Sequence, residues 1–131
     1  MANKAKPGRF TEAELLLMDI LWDHGPSTVQ VVVEHLPSDR PLAYTTVQTV
    51  LNVLHRKRSV RRKLRDRAYH YEAAVSRTHA ASTALQDLVR RLFRGSAEEV
   101  VLTMVKSRQL SPQKLSELRK LVEEADRRTR E

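Results

Sequence analysis

The stretch AYTTVQTVLNVLHRK, residues 43–57, decides the fold prediction for this chain. Threonine and valine are only middling helix formers, because they lose χ1 freedom against the preceding turn. The apolar residues nevertheless keep the i, i+3, i+4, i+7 spacing of one buried helical face: Val47, Val50, Leu51 and Leu54. The opposite face carries short polar side chains and a basic end: Thr45, Thr49, Asn52 and Arg56. We therefore predict a helix over 44–57 whose outer face binds a partner.

Two shorter helices are predicted before this one. The segment RFTEAELLLMDILWDHGP (9–26) has a capping-box pair, Thr11 and Glu14, and ends at a Gly-Pro dipeptide. The segment STVQVVVEHLP (27–37) contains a valine run that is compatible with a strand. Its Ser-Thr cap and closing proline favour a helix instead.

A β-hairpin is predicted after the central helix. In SVRRKLRDRAYHYEAAV (59–75), residues alternate with period two on either side of Arg65-Asp66, which is typical of two short antiparallel strands. Residues 56–67 also hold eight Lys or Arg and a single Asp, the steepest charge concentration in the chain. Three helices followed by a hairpin make a winged helix-turn-helix, so the predicted fold class is mainly α with a small β-hairpin.

The remainder of the chain is predicted to be purely helical, with helix starts at Ser96 and at Ser111-Pro112, and to form a second domain. We place a DNA-binding domain at 1–75 and a helical dimerisation domain at 76–131. Narrow apolar stripes in the second domain are too thin to close a core alone, and such seams usually meet a partner helix. Packing back on the first domain is the alternative. The predicted dimerisation residues are Leu85, Leu88, Leu92, Val101, Leu102, Leu115, Leu118, Leu121 and Val122.

The motifs that support catalysis or metal binding are missing from the sequence. There is no cysteine, and the five histidines lack metal-ligand spacing. The nucleophile-elbow, P-loop and dinucleotide-binding motifs are also lacking among only three glycines. We therefore expect a protein that is not an enzyme and that needs neither metal nor cofactor.

The composition points to a polyanionic partner. The 131 residues include 24 Lys or Arg against 16 Asp or Glu, a net charge of +8, and such an excess favours nucleic acid over a membrane surface. No apolar run approaches the ~20 residues that span a bilayer, so no membrane insertion is expected. The basic N-terminus lacks the apolar stretch of a signal peptide, which fits a cytoplasmic protein.

The residue types in the helix and the hairpin suit two different tasks on DNA. Short polar side chains on a helix can reach base edges and thymine methyls in the major groove, and we assign base reading to Thr45, Thr46, Gln48, Thr49 and Asn52. Phosphate requires charge more than precise placement, and we assign phosphate contacts to Arg56, Lys57, Arg61, Arg62, Lys63, Arg65 and Arg67. A nonspecific architectural nucleic-acid binder and a winged-helix protein adaptor are the competing hypotheses.

Four segments of the chain together resemble the BlaI/MecI penicillinase-repressor family, to which copper-responsive repressors are related. They are LLLMDILWDHGPSTVQVVVEHLP (15–37), PLAYTTVQTVLNVLHRK (41–57), RAYHYEAAV (67–75) and LFRGSAEEVVLTMVKSRQLSPQKLSELRKLV (92–122). The resemblance extends from residue 10 to about residue 123. It implies a dimeric winged-helix repressor of inverted-repeat operators, controlling β-lactam-resistance or related stress genes.

The resemblance also implies a way to switch the repressor off. In the penicillinase systems a membrane sensor metalloprotease leads to repressor cleavage, at a bond that aligns with Thr103-Met104, where family members have Asn-Phe. Two further positions depart from the family pattern: Arg58 stands where Gly is usual, and Asp66-Arg67 replaces a Gly-Arg turn. The cysteine-rich tail of the copper-responsive branch is lacking, so metal sensing of that kind is not expected.

Overall fold

The computed structural model describes residues 9–130. Along the chain these residues form α1 (Glu12–His24), α2 (Val29–Glu34), α3 (Tyr44–Arg56), β1 (Val60–Arg65), β2 (Ala68–Ala73), α4 (Arg77–Leu92), α5 (Ala97–Lys106) and α6 (Pro112–Arg130). The predicted winged helix-turn-helix with a helical continuation is confirmed. The N-terminal residues 1–8, part of the segment judged to lack a signal peptide, lie outside the described residues.

The first two helices begin where the sequence signals placed them. Thr11 caps α1 and forms the predicted reciprocal capping box with Glu14, and Gly25 follows the helix at a φ of 76°. The valine-rich segment is a helix rather than a strand, because the Thr28 hydroxyl accepts a hydrogen bond from the Val31 N–H. Capping of this kind satisfies backbone donors that a helix start leaves unpaired.

The core of the first unit lies between these helices and the hairpin. The predicted inner face of α3 is confirmed: Val47, Leu51 and Leu54 are fully buried, and Val50 packs at the edge of the core. Their neighbours in the core are Leu17, Met18, Ile20 and Leu21 of α1, Val29 and Val32 of α2, and Val60 and Tyr71 of the hairpin. Burial of this face explains why a sequence of modest helix propensity is helical.

The hairpin pairs β1 with β2 in an antiparallel register that runs from Val60 opposite Ala73 to Arg65 opposite Ala68. Two residues, Asp66 and Arg67, connect the strands with φ values of 49° and 67°. Positive φ at both central residues is the signature of a type I′ turn, whose twist matches that of the flanking strands. An isolated bridge between Ser27 and Tyr71 joins β2 to the segment before α2.

The chain divides into two compact units between Leu85 and Gln86, inside α4. The beginning of α4 belongs to the first unit because the Arg77 guanidinium donates to Asp23 at 3.0 Å and lies over the Trp22 ring. The hydrogen bond to Asp23 raises the pKa of Arg77.

In the second unit, α5 and α6 begin at the predicted caps. The Ser96 hydroxyl accepts a hydrogen bond from the Glu99 N–H. Ser111, which immediately precedes Pro112, accepts one from the Lys114 N–H. Neither α5 nor α6 has a buried residue in the single chain. All nine side chains predicted to mediate dimerisation are exposed large hydrophobics, from Val101 at 36% to Leu92 at 70%.

Candidate nucleic-acid interface

The outer face of α3 presents four of the five predicted base-reading residues to solvent. Thr45, Thr46, Gln48 and Thr49 are all exposed in the first two turns. The Thr49 hydroxyl donates to the Thr45 carbonyl at 2.9 Å, so its proton is used within the helix while its methyl group and oxygen lone pair remain. Gln48 retains both an amide donor and an acceptor, the pair required to recognise an adenine edge.

Asn52, the fifth predicted base reader, is engaged inside the protein. Its Oδ1 accepts hydrogen bonds from Arg62 Nη1 at 3.3 Å and from the Tyr71 hydroxyl at 3.4 Å. Asn52 is also only partly exposed, unlike Thr45 and Thr49 on the same helical stripe. Periodicity placed Asn52 on the outer stripe correctly but could not reveal that the hairpin reaches it.

The hairpin carries most of the predicted phosphate-binding residues, and they are accessible. Arg61, Lys63, Arg65 and Arg67 are exposed, as is Arg56 at the end of α3. The only carboxylate that neighbours them among the described salt bridges is Glu72, 3.5 Å from Arg61 across the strands. Exposed pairs of this kind contribute about 0–1 kcal/mol, so a phosphate competes readily for Arg61.

The prediction that Lys57 contacts phosphate is corrected by the structure. Its side chain is only 11% exposed, and its ammonium lies 2.7 Å from the Glu14 carboxylate, which is 5% exposed. The ammonium also donates to the Arg9 carbonyl. Because an ammonium removed from water is stabilised only by close partners, Lys57 points into the first unit and holds the end of α3 against the start of α1.

Arg58 is a basic residue that the phosphate assignment did not include. It follows the C-cap of α3, is exposed, and has a φ of 65°, the left-handed region that favours glycine. A groove of about 810 Å³ lies beside it, lined by Arg56, Arg58, Arg61, Arg62 and Lys63 with His55, Val60, Glu72 and Ala74. The sequence signal for Arg58 is the charge run of residues 56–67, in which it is one of eight basic residues.

Residues 9–130 contain neither a cluster of metal ligands nor a membrane-spanning helix. No group of three or more His, Asp or Glu side chains there is arranged to hold a metal ion. None of the helices in that range combines the length and apolar character needed to cross a membrane. The stacked pair His24 and His35, with ring centroids 3.8 Å apart, is exposed at the ends of α1 and α2.

Comparison with known proteins identifies the family. The penicillinase repressor family profile matches residues 10–124, nearly the whole chain. The chain belongs to the penicillinase repressor family. It is therefore related by descent and fold to transcriptional repressors, a class that is not enzymatic, and the resemblance seen in the sequence is confirmed.

Individual relatives are distant but cover most of the chain. A penicillinase repressor of Bacillus licheniformis is 24% identical over 94% of this chain and 96% of its own length. The methicillin resistance regulatory protein MecI of Mammaliicoccus sciuri is 21% identical over 89% and 95%, respectively. The transcriptional regulator BlaI of Mycobacterium tuberculosis is 34% identical over 75% and 72%.

Among solved structures, one of Bordetella bronchiseptica BpsR aligns with 95% of this chain and 82% of that chain. Its TM-score is 0.46, at 15% sequence identity.

Proposed function

We propose that this repressor acts as a cytoplasmic homodimer that binds inverted-repeat DNA operators sequence-specifically. The observation that carries the proposal is the exposed polar face of α3 beside an exposed basic hairpin, in a chain of the penicillinase repressor family. In this arrangement α3 enters the major groove while the hairpin contacts the neighbouring backbone.

Sequence is read by the first two turns of α3. Thr45, Thr46, Gln48 and Thr49 offer hydroxyl, methyl and amide groups without bulk, and such groups distinguish base pairs in the major groove. Asn52 is excluded from this set because its carbonyl oxygen already accepts two hydrogen bonds.

Affinity is supplied mainly by the hairpin and the end of α3. Each Lys or Arg that neutralises a phosphate releases counterions, which makes binding strongly salt-dependent. The residues proposed for this role are Arg56, Arg58, Arg61, Lys63, Arg65 and Arg67. Lys57 is not among them, since its charge is balanced by Glu14.

Dimerisation is proposed through the apolar faces of α4, α5 and α6. Exposed apolar patches larger than a few hundred Å² are uncommon on monomers and mark interaction surfaces. The nine predicted residues, including Leu88, Leu118 and Val122, are all exposed in the single chain. A second copy would cover them, and two-fold symmetry would then require a symmetric operator with half-sites about one helical turn or a multiple apart.

Release of the operator is proposed to occur by cleavage of α5 at the Thr103-Met104 bond. As in the penicillinase systems, a membrane sensor metalloprotease would lead to this cleavage. Support comes from the location of this bond within α5, between exposed Val101 and Leu102 and the end of the helix. Cutting there would separate the two reading heads and remove bivalent binding. Mass spectrometry of the chain co-expressed with its sensor under inducing conditions tests this step; an intact chain despite derepression would exclude it.

The experiment that tests the proposed function is selection of duplexes from a random pool by the full-length protein at one fixed salt concentration. We expect an inverted-repeat consensus. Recovery of unrelated sequences with equal affinity would instead identify a nonspecific architectural binder, whose binding is dominated by phosphate contacts. Failure to retain any duplex at low salt would favour the protein-adaptor hypothesis.

A further inference from the structure

Asn52 connects the recognition helix α3 to the inner side of the hairpin. An amide oxygen has two lone pairs, and here the two donors are Arg62 Nη1 and the Tyr71 hydroxyl. Adenine recognition by asparagine needs the same oxygen to accept from the base while the amide nitrogen donates. Asn52 is therefore occupied in a way that prevents the usual bidentate contact.

Arg62 is held on a second side by an aromatic ring. Its guanidinium carbon lies 4.2 Å from the centroid of the Tyr69 ring, and this stacking restricts the side chain further. In the strand register Arg62 is opposite Tyr71, which is 2% exposed and anchored in the core. Arg62 is partly buried, whereas its neighbours Arg61 and Lys63 are exposed.

We propose that Arg62 is a specificity-determining residue and that Asn52 is the positioning residue that fixes its guanidinium beside α3. The inference rests on the proposed function, because it concerns the same DNA surface. A flexible lysine or arginine neutralises phosphate in many orientations, so it adds affinity on every sequence. A guanidinium fixed before binding presents its planar donors in one direction and loses less entropy on binding. Arg62 then discriminates between sequences at the edge of the site read by α3.

The test measures the affinity of purified full-length variants for the selected operator and for a random duplex at several salt concentrations. Arg62→Ala should lower operator affinity roughly tenfold or more, the range of one good base contact, and random-duplex affinity clearly less. Arg61→Ala is the matched control, because it removes the same charge from the adjacent, exposed position. It should weaken both duplexes equally and reduce the salt slope by about one.

The positioning role of Asn52 is tested by combining substitutions. Asn52→Ala should reduce operator preference by itself but change nothing further in an Arg62→Ala background. Tyr69→Leu removes the stacking partner from an exposed position outside α3, and should behave in the same non-additive way. Thermal unfolding of each variant identifies loss of folded protein; if Asn52→Ala does not fold, Tyr69→Leu decides.

Two results would overturn the inference. Equal losses on both duplexes for Arg62→Ala and Arg61→Ala would make Arg62 an ordinary phosphate contact. A further loss from Asn52→Ala or Tyr69→Leu in the Arg62→Ala background would mean that those side chains contact DNA themselves. Both results leave the proposed function intact, whereas a wild-type chain that prefers no operator would refute the proposed function itself.

Discussion

Replacing Arg58 by glycine should make the protein more stable and a weaker DNA binder at the same time. Arg58 has a φ of 65°, and the left-handed conformation costs a non-glycine residue about 1–2 kcal/mol. Glycine avoids that cost, but its greater freedom in the unfolded chain lowers the stability by roughly 0.5–1 kcal/mol. The expected net gain is roughly 0–1.5 kcal/mol, centred on ~0.75 kcal/mol, which corresponds to about 3–6 °C in Tm for a unit of this size.

The effect on DNA follows from the charge that is lost. Arg58 lines the basic groove with Arg56, Arg61 and Lys63, where a phosphate is the expected ligand. One lost phosphate contact lowers the slope of log K against log salt by about 0.9. Because the substitution relieves backbone strain, weaker binding cannot be attributed to misfolding.

Arg108→Gly is a control with the same backbone geometry and the same change in charge. Arg108 follows the C-cap of α5 with a φ of 63°, and its N–H bonds to the carbonyl three residues earlier, as that of Arg58 does. It should gain stability without changing the salt slope. Thermal unfolding and fluorescence anisotropy titrations measure the two quantities. An unchanged slope in Arg58→Gly would refute the phosphate contact, and a lower Tm in both variants would refute the strain argument.

Three further substitutions probe the base-reading face, the buried ion pair and the proposed dimer surface. Gln48→Ala should cost about 1–3 kcal/mol on the operator and much less on random duplex in the same titrations; equal losses would remove Gln48 from the base-reading set. Lys57→Met leaves the buried Glu14 carboxylate without its 2.7 Å partner and should destabilise by about 3–5 kcal/mol in urea unfolding, whereas an unchanged midpoint would show that Glu14 is solvated. Leu118→Glu should shift sedimentation from dimer to monomer while the first unit stays folded, and a variant that remains dimeric would place the interface elsewhere.

The local signals in this sequence predicted the elements well because each has a short-range cause. The Thr11 and Glu14 capping box, the Ser96 cap and the Ser111-Pro112 start all act within one helical turn. The inner face of α3 was predictable because burial follows the 3.6-residue period. These features depend on residue types and spacings within one or two helical turns.

Two of the predicted site residues make contacts with residues that are distant in sequence. Lys57 looked like part of a basic run until its partner Glu14, 43 residues away, was located. Asn52 looked like a base reader until the hairpin brought Arg62 and Tyr71 to its oxygen. Charge and helical periodicity indicate which polar side chains lie on an exposed face. Only the tertiary structure shows which of them already have hydrogen-bond or ion-pair partners within the protein.

The ion pair between Glu14 and Lys57 also has a consequence for the order in which the chain opens. Glu14 Oε1 accepts from the Thr11 N–H and from Lys57 Nζ, so one carboxylate oxygen secures both the first turn of α1 and the last turn of α3. Helix ends usually fray at little cost. Here fraying at the end of α3 would withdraw Lys57 and leave the buried Glu14 carboxylate at the start of α1 without its partner. The end of α3 and the start of α1 are therefore expected to open together. Backbone amides near Lys57 should therefore exchange with solvent deuterium as slowly as those of the core, although they lie at a helix terminus.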